Sequence, residues 1–92
     1  MHHVYILRCA DNSFYVGSAQ DLDNRVKAHN DGRGAAYTFK HRPVHLVYFE
    51  VFDSEARAVT RERQIKRWSH DKKQALVDRN IRRLKQLSKR RR

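Results

Sequence analysis

The chain has 92 residues, one cysteine (Cys9) and a formal net charge of +11 at pH 7. One small domain is all this length supports, with roughly 60 % of the unfolded surface buried. A lone cysteine excludes an intrachain disulfide and a thiolate-rich zinc centre, and no apolar run approaches the ~18 residues of a membrane span.

Residues 3–9 are nearly continuous in strand formers, which predicts a strand covered on both faces. Asp11, Asn12 and Ser13 supply turn chemistry, residues 14–16 a second short strand ended by Gly17, and the pair a hairpin. Ser18 or Asp21 can cap a helix that runs to about residue 30 and is stopped by Gly32. Residues 31–42 read as a polar loop with a basic tip, containing Gly32 and Gly34 and closed by Pro43. Residues 44–52 form a third strand. Ser54 caps a helix to about residue 68, Ser69 a shorter one through residue 77, and a basic helix continues to about residue 87. The order β-β-α-β-α-α predicts an α/β (α+β) fold: a small, mainly antiparallel sheet with helices on its faces. Residues 1–78 form the domain, and residues 79–92 a basic C-terminal helix or tail.

The charge is unevenly placed. Residues 1–56 carry six Lys/Arg against seven Asp/Glu, and residues 57–92 fifteen against three. This makes a directional field that suits a polyanion. Nucleic acid is the expected partner and membrane is not, because the C-terminal stretch lacks the broad apolar face of an interfacial helix. The chain enters its first strand directly, without a charged start and a cleavable apolar segment, so a cytoplasmic protein is expected.

Polar residues stand where core residues belong. The first helix has its stripe at Leu22, Arg25, Val26 and His29, and Arg25 and His29 are neighbours one turn apart. Either both sit on the flank of a narrow stripe, or they project together for a purpose. In the helix after Ser54, Ala58, Val59 and Ile65 bracket an inward arc, and Glu62 falls inside it. A charged carboxylate there needs compensation, either from Arg25 or Lys66 or from a metal ion. Tyr5 and Tyr15 share a sheet face only if the hairpin loop has an odd count. We expect such a loop at residues 11–13, pairing Leu7 with Gly17. His2, His3, His41, His45 and His70 show no metal-ligand spacing and read as structural or surface residues.

These residues carry a resemblance. His3-Val4-Tyr5 followed by Tyr15-Val16-Gly17 resembles the paired signature of the GIY-YIG nucleases, with His3, Val4 and Val16 replacing its first Gly and both Ile positions. The ordered set Tyr5, Tyr15, Gly17, Arg25, His29 and Glu62 matches the same family. Residues 32–38 and 61–68 resemble its small, stand-alone bacterial branch, and the likeness runs from residue 3 to about 75. It implies a three-stranded antiparallel sheet flanked by helices and a divalent-metal-dependent endonuclease. Glu62 would bind the metal, Mg²⁺ or Mn²⁺, each suited to a hard oxygen site. Arg25 would clamp phosphate, Tyr5 or His29 would take the proton of the attacking water, and Tyr15 would position water or phosphate. Gly17 would let backbone approach closely.

Arg33, Tyr37, Lys40 and Arg42 in the loop are candidate contacts to substrate backbone or a stacked base, and Arg61, Arg63, Lys66, Arg67, Lys72 and Lys73 beside Glu62 are candidate contacts to backbone phosphate. Each of them singly also suits an ordinary solvated role. Three functions compete: a nuclease acting on single-stranded or branched DNA, a non-cleaving DNA-binding module on the same fold, and an RNA-binding factor. A chain this small would find its target through its own surface, a homodimer or a protein partner.

Overall fold

The computed structural model describes residues 1–89. The chain runs β1 (His2–Arg8), β2 (Phe14–Ala19), α1 (Leu22–Asn30), α2 (Ala36–Lys40), β3 (His45–Phe52), α3 (Glu55–Lys66), α4 (His70–Val77) and α5 (Ile81–Lys89). The strands make one antiparallel sheet in the order β2-β1-β3. β1 is central, which is why Val4, Tyr5, Ile6 and Leu7 are all buried.

Alternation along β1 divides the core in two. Val4, Ile6 and Val16 pack with Ala58, Ile65 and Leu76 from α3 and α4. Tyr5, Leu7, Cys9 and Val44 form the other cluster, covered by Leu22 and Val26 of α1. The basic C-terminal helix contributes through Leu84, which packs against the first cluster. Residues 90–92 of the expected tail lie outside the described residues.

The hairpin loop is odd, but its register differs from expectation. Cys9 and Ser13 close it, with Cys9 N–H donating to Ser13 O at 2.9 Å and Asn12 N–H to Cys9 O at 2.9 Å. The loop is therefore residues 10–12, and Leu7 pairs with Tyr15 rather than Gly17. Asn12 takes the left-handed conformation (φ 70°) that closes a three-residue loop, a role its short polar side chain tolerates. The register has moved by two residues, so Tyr5 and Tyr15 still share a face. Gly17 does not end β2. Its backbone pairs with Tyr5 and the strand continues to Ala19.

Of the two N-cap candidates for α1, Asp21 holds the position, accepting from Asn24 N–H at 3.1 Å. Ser54 and Ser69 cap α3 and α4 as expected. Gly32 follows α1 with a φ of 84°. The loop expected over residues 31–42 contains the five-residue α2. A helix of that length shows no periodicity for a sequence pattern to reveal. Among the described residues no helix is long and apolar enough to cross a membrane.

Ile65 is 0 % exposed at the centre of the first cluster. Ile65→Ala is expected to destabilise the fold by about 2–5 kcal/mol, read as a lower urea midpoint with an unchanged slope.

Candidate active site at the edge of the sheet

Five of the expected residues meet around β2. Tyr5 projects from β1 beneath Gly17, where an added Cβ would lie 2.5 Å from the Tyr5 hydroxyl and 2.7 Å from its Cζ. The missing side chain leaves the space that the phenol fills. The hydroxyl reaches His29 Nε2 at 2.9 Å, and the His29 ring is 1 % exposed. The Tyr15 ring lies 5.1 Å from His29 and 6.4 Å from Tyr5, centroid to centroid.

His29 is held from behind by a residue without an assigned role in the sequence. Its Nδ1 lies 2.7 Å from the buried Thr38 Oγ1. The Thr38 hydroxyl donates its one proton to Ala35 O at 3.0 Å. Nδ1 must then carry a hydrogen and donate, which leaves Nε2 as the acceptor of the Tyr5 proton. α2 exists to present Thr38, and Ala35 N–H also donates to its oxygen at 3.2 Å. Gly34 passes so close to the His29 ring that any Cβ there would collide with it. Thr38 and Gly34 lay within the stretch that resembled the family, but only a folded α2 reveals their purpose.

Burial sets the protonation states. It pushes the Tyr5 phenol up, Tyr15 and Glu62 add to this, and Arg25 partly opposes it. Tyr5 is therefore a neutral phenol and not a standing phenolate. Burial and then the Arg25 guanidinium hold His29 below its ordinary value, so the ring is neutral near pH 7.

Glu62 reaches the same strand from the other face. Successive strand residues point to opposite sides, so Gly17 meets Tyr5 while Ser18 turns toward α3. The Ser18 hydroxyl donates to Glu62 Oε1 at 2.8 Å. Lys66 Nζ lies 2.8 Å from Oε2, one of the compensations expected, and the Glu62 side chain is only 16 % exposed. The site thus wraps around the edge strand. A groove of about 350 Å³ follows that edge, lined by Phe14, Tyr15, Val16, Tyr37, Lys66 and Lys73.

The remaining expected residues divide. Arg25 is exposed on α1 and shares a surface recess with Arg33, whose guanidinium is paired to Asp31 at 3.0 Å. Tyr37 is 41 % exposed, stacks on His41 at 4.2 Å and lies parallel to Tyr15 at 6.4 Å. Lys40 is exposed at the end of α2. Arg42 donates from Nε to Phe39 O and from Nη1 to Asn30 O and stacks on Phe39 at 4.5 Å. Arg61 makes a two-pronged pair with Glu50, Nε to Oε1 at 2.9 Å and Nη2 to Oε2 at 3.0 Å. Its guanidinium joins β3 to α3. Among the described residues there is no group of three His, Cys, Asp or Glu able to hold a metal.

An antiparallel three-stranded sheet with two tyrosines, a histidine and a lone acid gathered at its edge defines a catalytic domain of the GIY-YIG type. The GIY-YIG catalytic domain family matches residues 1–75, and the chain belongs to that family of nucleases. Within it, the chain is 47 % identical to a UPF0213 protein of Haloquadratum walsbyi over 84 % of this chain and 86 % of that one. It is also 47 % identical to one of Staphylococcus saprophyticus, over 83 % and 93 %. The solution structure of a UPF0213 protein from Bacillus halodurans is similar, at 43 % identity, with a TM-score of 0.55 over 84 % of this chain and 82 % of that one. A second solution structure, from E. faecalis, gives 30 % identity and a TM-score of 0.58 over 87 % and 85 %.

Because the folded His29 pKa is depressed, the unfolded chain binds the extra proton first as pH falls. Stability is expected to be whole above the unfolded value of about 6.5 and to decline below it. Urea melts across this range should show that decline, and His29→Gln should flatten it.

Proposed function

We propose that the chain is a divalent-metal-dependent endonuclease hydrolysing DNA phosphodiester bonds, with single-stranded or branched DNA as its substrate. The observation that supports this reading is the buried Tyr5–His29 pair on one face of the edge strand, with Glu62 held against the other face beside a groove lined by Lys66 and Lys73. A purely binding surface has no use for a carboxylate facing a polyanion.

The one carboxylate suits a hard cation, which would take the place beside Oε2 that the Lys66 ammonium holds. One partly exposed carboxylate, completed by water and substrate phosphates, is the way Mg²⁺ or Mn²⁺ is held in phosphoryl chemistry. Glu62 would hold the ion. When bound, it supplies Lewis-acid polarisation of the phosphate and stabilises the leaving oxygen.

The protein's own groups supply the rest. Tyr5 takes the proton of the attacking water as its own passes to His29 Nε2, which the Thr38 contact keeps free to accept. The two candidate bases thus act in series, and no free phenolate is needed. Arg25, fixed in charge, binds phosphate oxygens at the rim. Tyr15, the less buried of the two tyrosines, orients water or phosphate. Lys66 and Lys73 hold the strand along the groove.

Glu62→Gln is expected to lower cleavage on the order of 10²-fold or more while nucleic-acid binding survives. The assay uses labelled single-stranded DNA, duplex, flap and RNA, each with Mg²⁺, Mn²⁺ or chelator. Binding without cleavage by the wild type under every condition would identify a non-cleaving module instead, and RNA as the sole target would identify an RNA factor. Tyr5→Phe is expected to lower kcat with little change in KM, and to cost about 1–2 kcal/mol of stability because His29 Nε2 loses its donor.

A further inference from the structure

The positive charges that follow Glu62 in sequence divide between two surfaces: Lys66 and Lys73 line the groove beside it, and Arg63, Arg67 and Lys72 do not. At about 100° per residue, Lys66 lies about 40° round α3 from Glu62, whereas Arg63 lies about 100° round, on the flank, and Thr60, Gln64 and Arg67 about 140–200° round, on the opposite side. There they form one wall of a second and larger cleft, of about 740 Å³. α4 contributes Lys72, and α5 closes the far side at Ser88. Trp68 stands in the cleft with the Lys72 ammonium 4.2 Å from its ring centroid.

The chemistry of this cleft is one-sided. Three cations line it, and among the described residues no carboxylate does. Arg63 and Arg67 are exposed and make no ion pair among the described residues. Arginine forks left open in this way match phosphate oxygens. The Gln64 amide oxygen is occupied by Arg61 at 2.8 Å, which leaves its NH₂ as a further donor.

We infer that the α3–α5 cleft is a second phosphate-backbone site, separated from the cleaving edge by the thickness of α3, and that it holds another stretch of the same nucleic acid. This rests on the hydrolase reading for the identity of the polyanion. A strand or arm leaving the Glu62 edge must pass around α3 to reach it, so the cleft favours long or branched substrates over short ones.

The test compares Arg63→Gln/Arg67→Gln with wild type and with a charge-matched control, Lys27→Gln/Arg57→Gln, in metal-free buffer. Affinity for a long DNA duplex should fall on the order of tenfold, and the slope of log K against log salt should become shallower by about two, one for each lost phosphate contact. The control should keep the wild-type slope, and the deficit should shrink as the oligonucleotide is shortened. An unchanged slope, or a control that loses as much, overturns the inference and leaves the hydrolase reading standing. A wild type that binds no nucleic acid overturns both. Loss of binding to phosphatidylserine vesicles, with nucleic-acid binding intact, would assign the cleft to a membrane and overturn it as well.

Discussion

The hydrogen bond from Tyr5 to His29 is the constraint on which the rest of the site depends. Both groups are almost wholly buried, and a buried polar atom left without a partner is costly. The bond therefore fixes where α1 sits against β1, and the contact from His29 to Thr38 extends the demand to α2. Two glycines are the steric conditions for it. Gly17 yields its side-chain space to the phenol, and Gly34 lets the loop pass across the imidazole. Tyr5 also belongs to the core cluster of Leu7, Cys9 and Val44, so the proton path is part of the packing and not an addition to it.

An edge strand is what lets groups from both faces of a sheet act together. In a central strand, Gly17 and Ser18 would address two sealed compartments. At the edge, the phenol beneath Gly17 and the carboxylate bound to Ser18 lie around one rim, close enough for the Glu62 charge to raise the Tyr5 pKa. The rim is also defended. Lys66 and Lys73 line the groove beside β2, and charged side chains of this kind discourage another strand from pairing with an open edge. The same cations that keep sheets apart attract a polyanion.

What the sequence revealed follows the range of the interactions involved. The unbroken apolar run of β1, the serine caps of α3 and α4, and the inward phase of Glu62 are local patterns, and each could be read from a window of a few residues. The odd parity of the hairpin was legible because Tyr5 and Tyr15 had to share a face. Its register was not, because it depended on Asn12 adopting a left-handed conformation. α2 was too short to show a period, and with it went the purpose of Thr38. Arg25 was expected with His29 on one stripe, yet only His29 is buried, because the stripe is narrower than the spacing suggests. Arg61 resembled its basic neighbours, and only the approach of β3 brings Glu50 to it. Local signals and the gathering of the site survived, and the exact register and the partners of Thr38 and Arg61 did not.

Cys9 closes the hairpin and is 3 % exposed, with burial raising its thiol pKa despite the opposing Ser13 contact. As the only sulfhydryl in the chain, it cannot scramble into wrong disulfides within one molecule during refolding. It is also shielded from alkylating reagents until the core beneath Tyr5 opens. Its labelling rate is consequently a built-in clock for that opening, reporting on the compartment behind the phenol without any engineered probe.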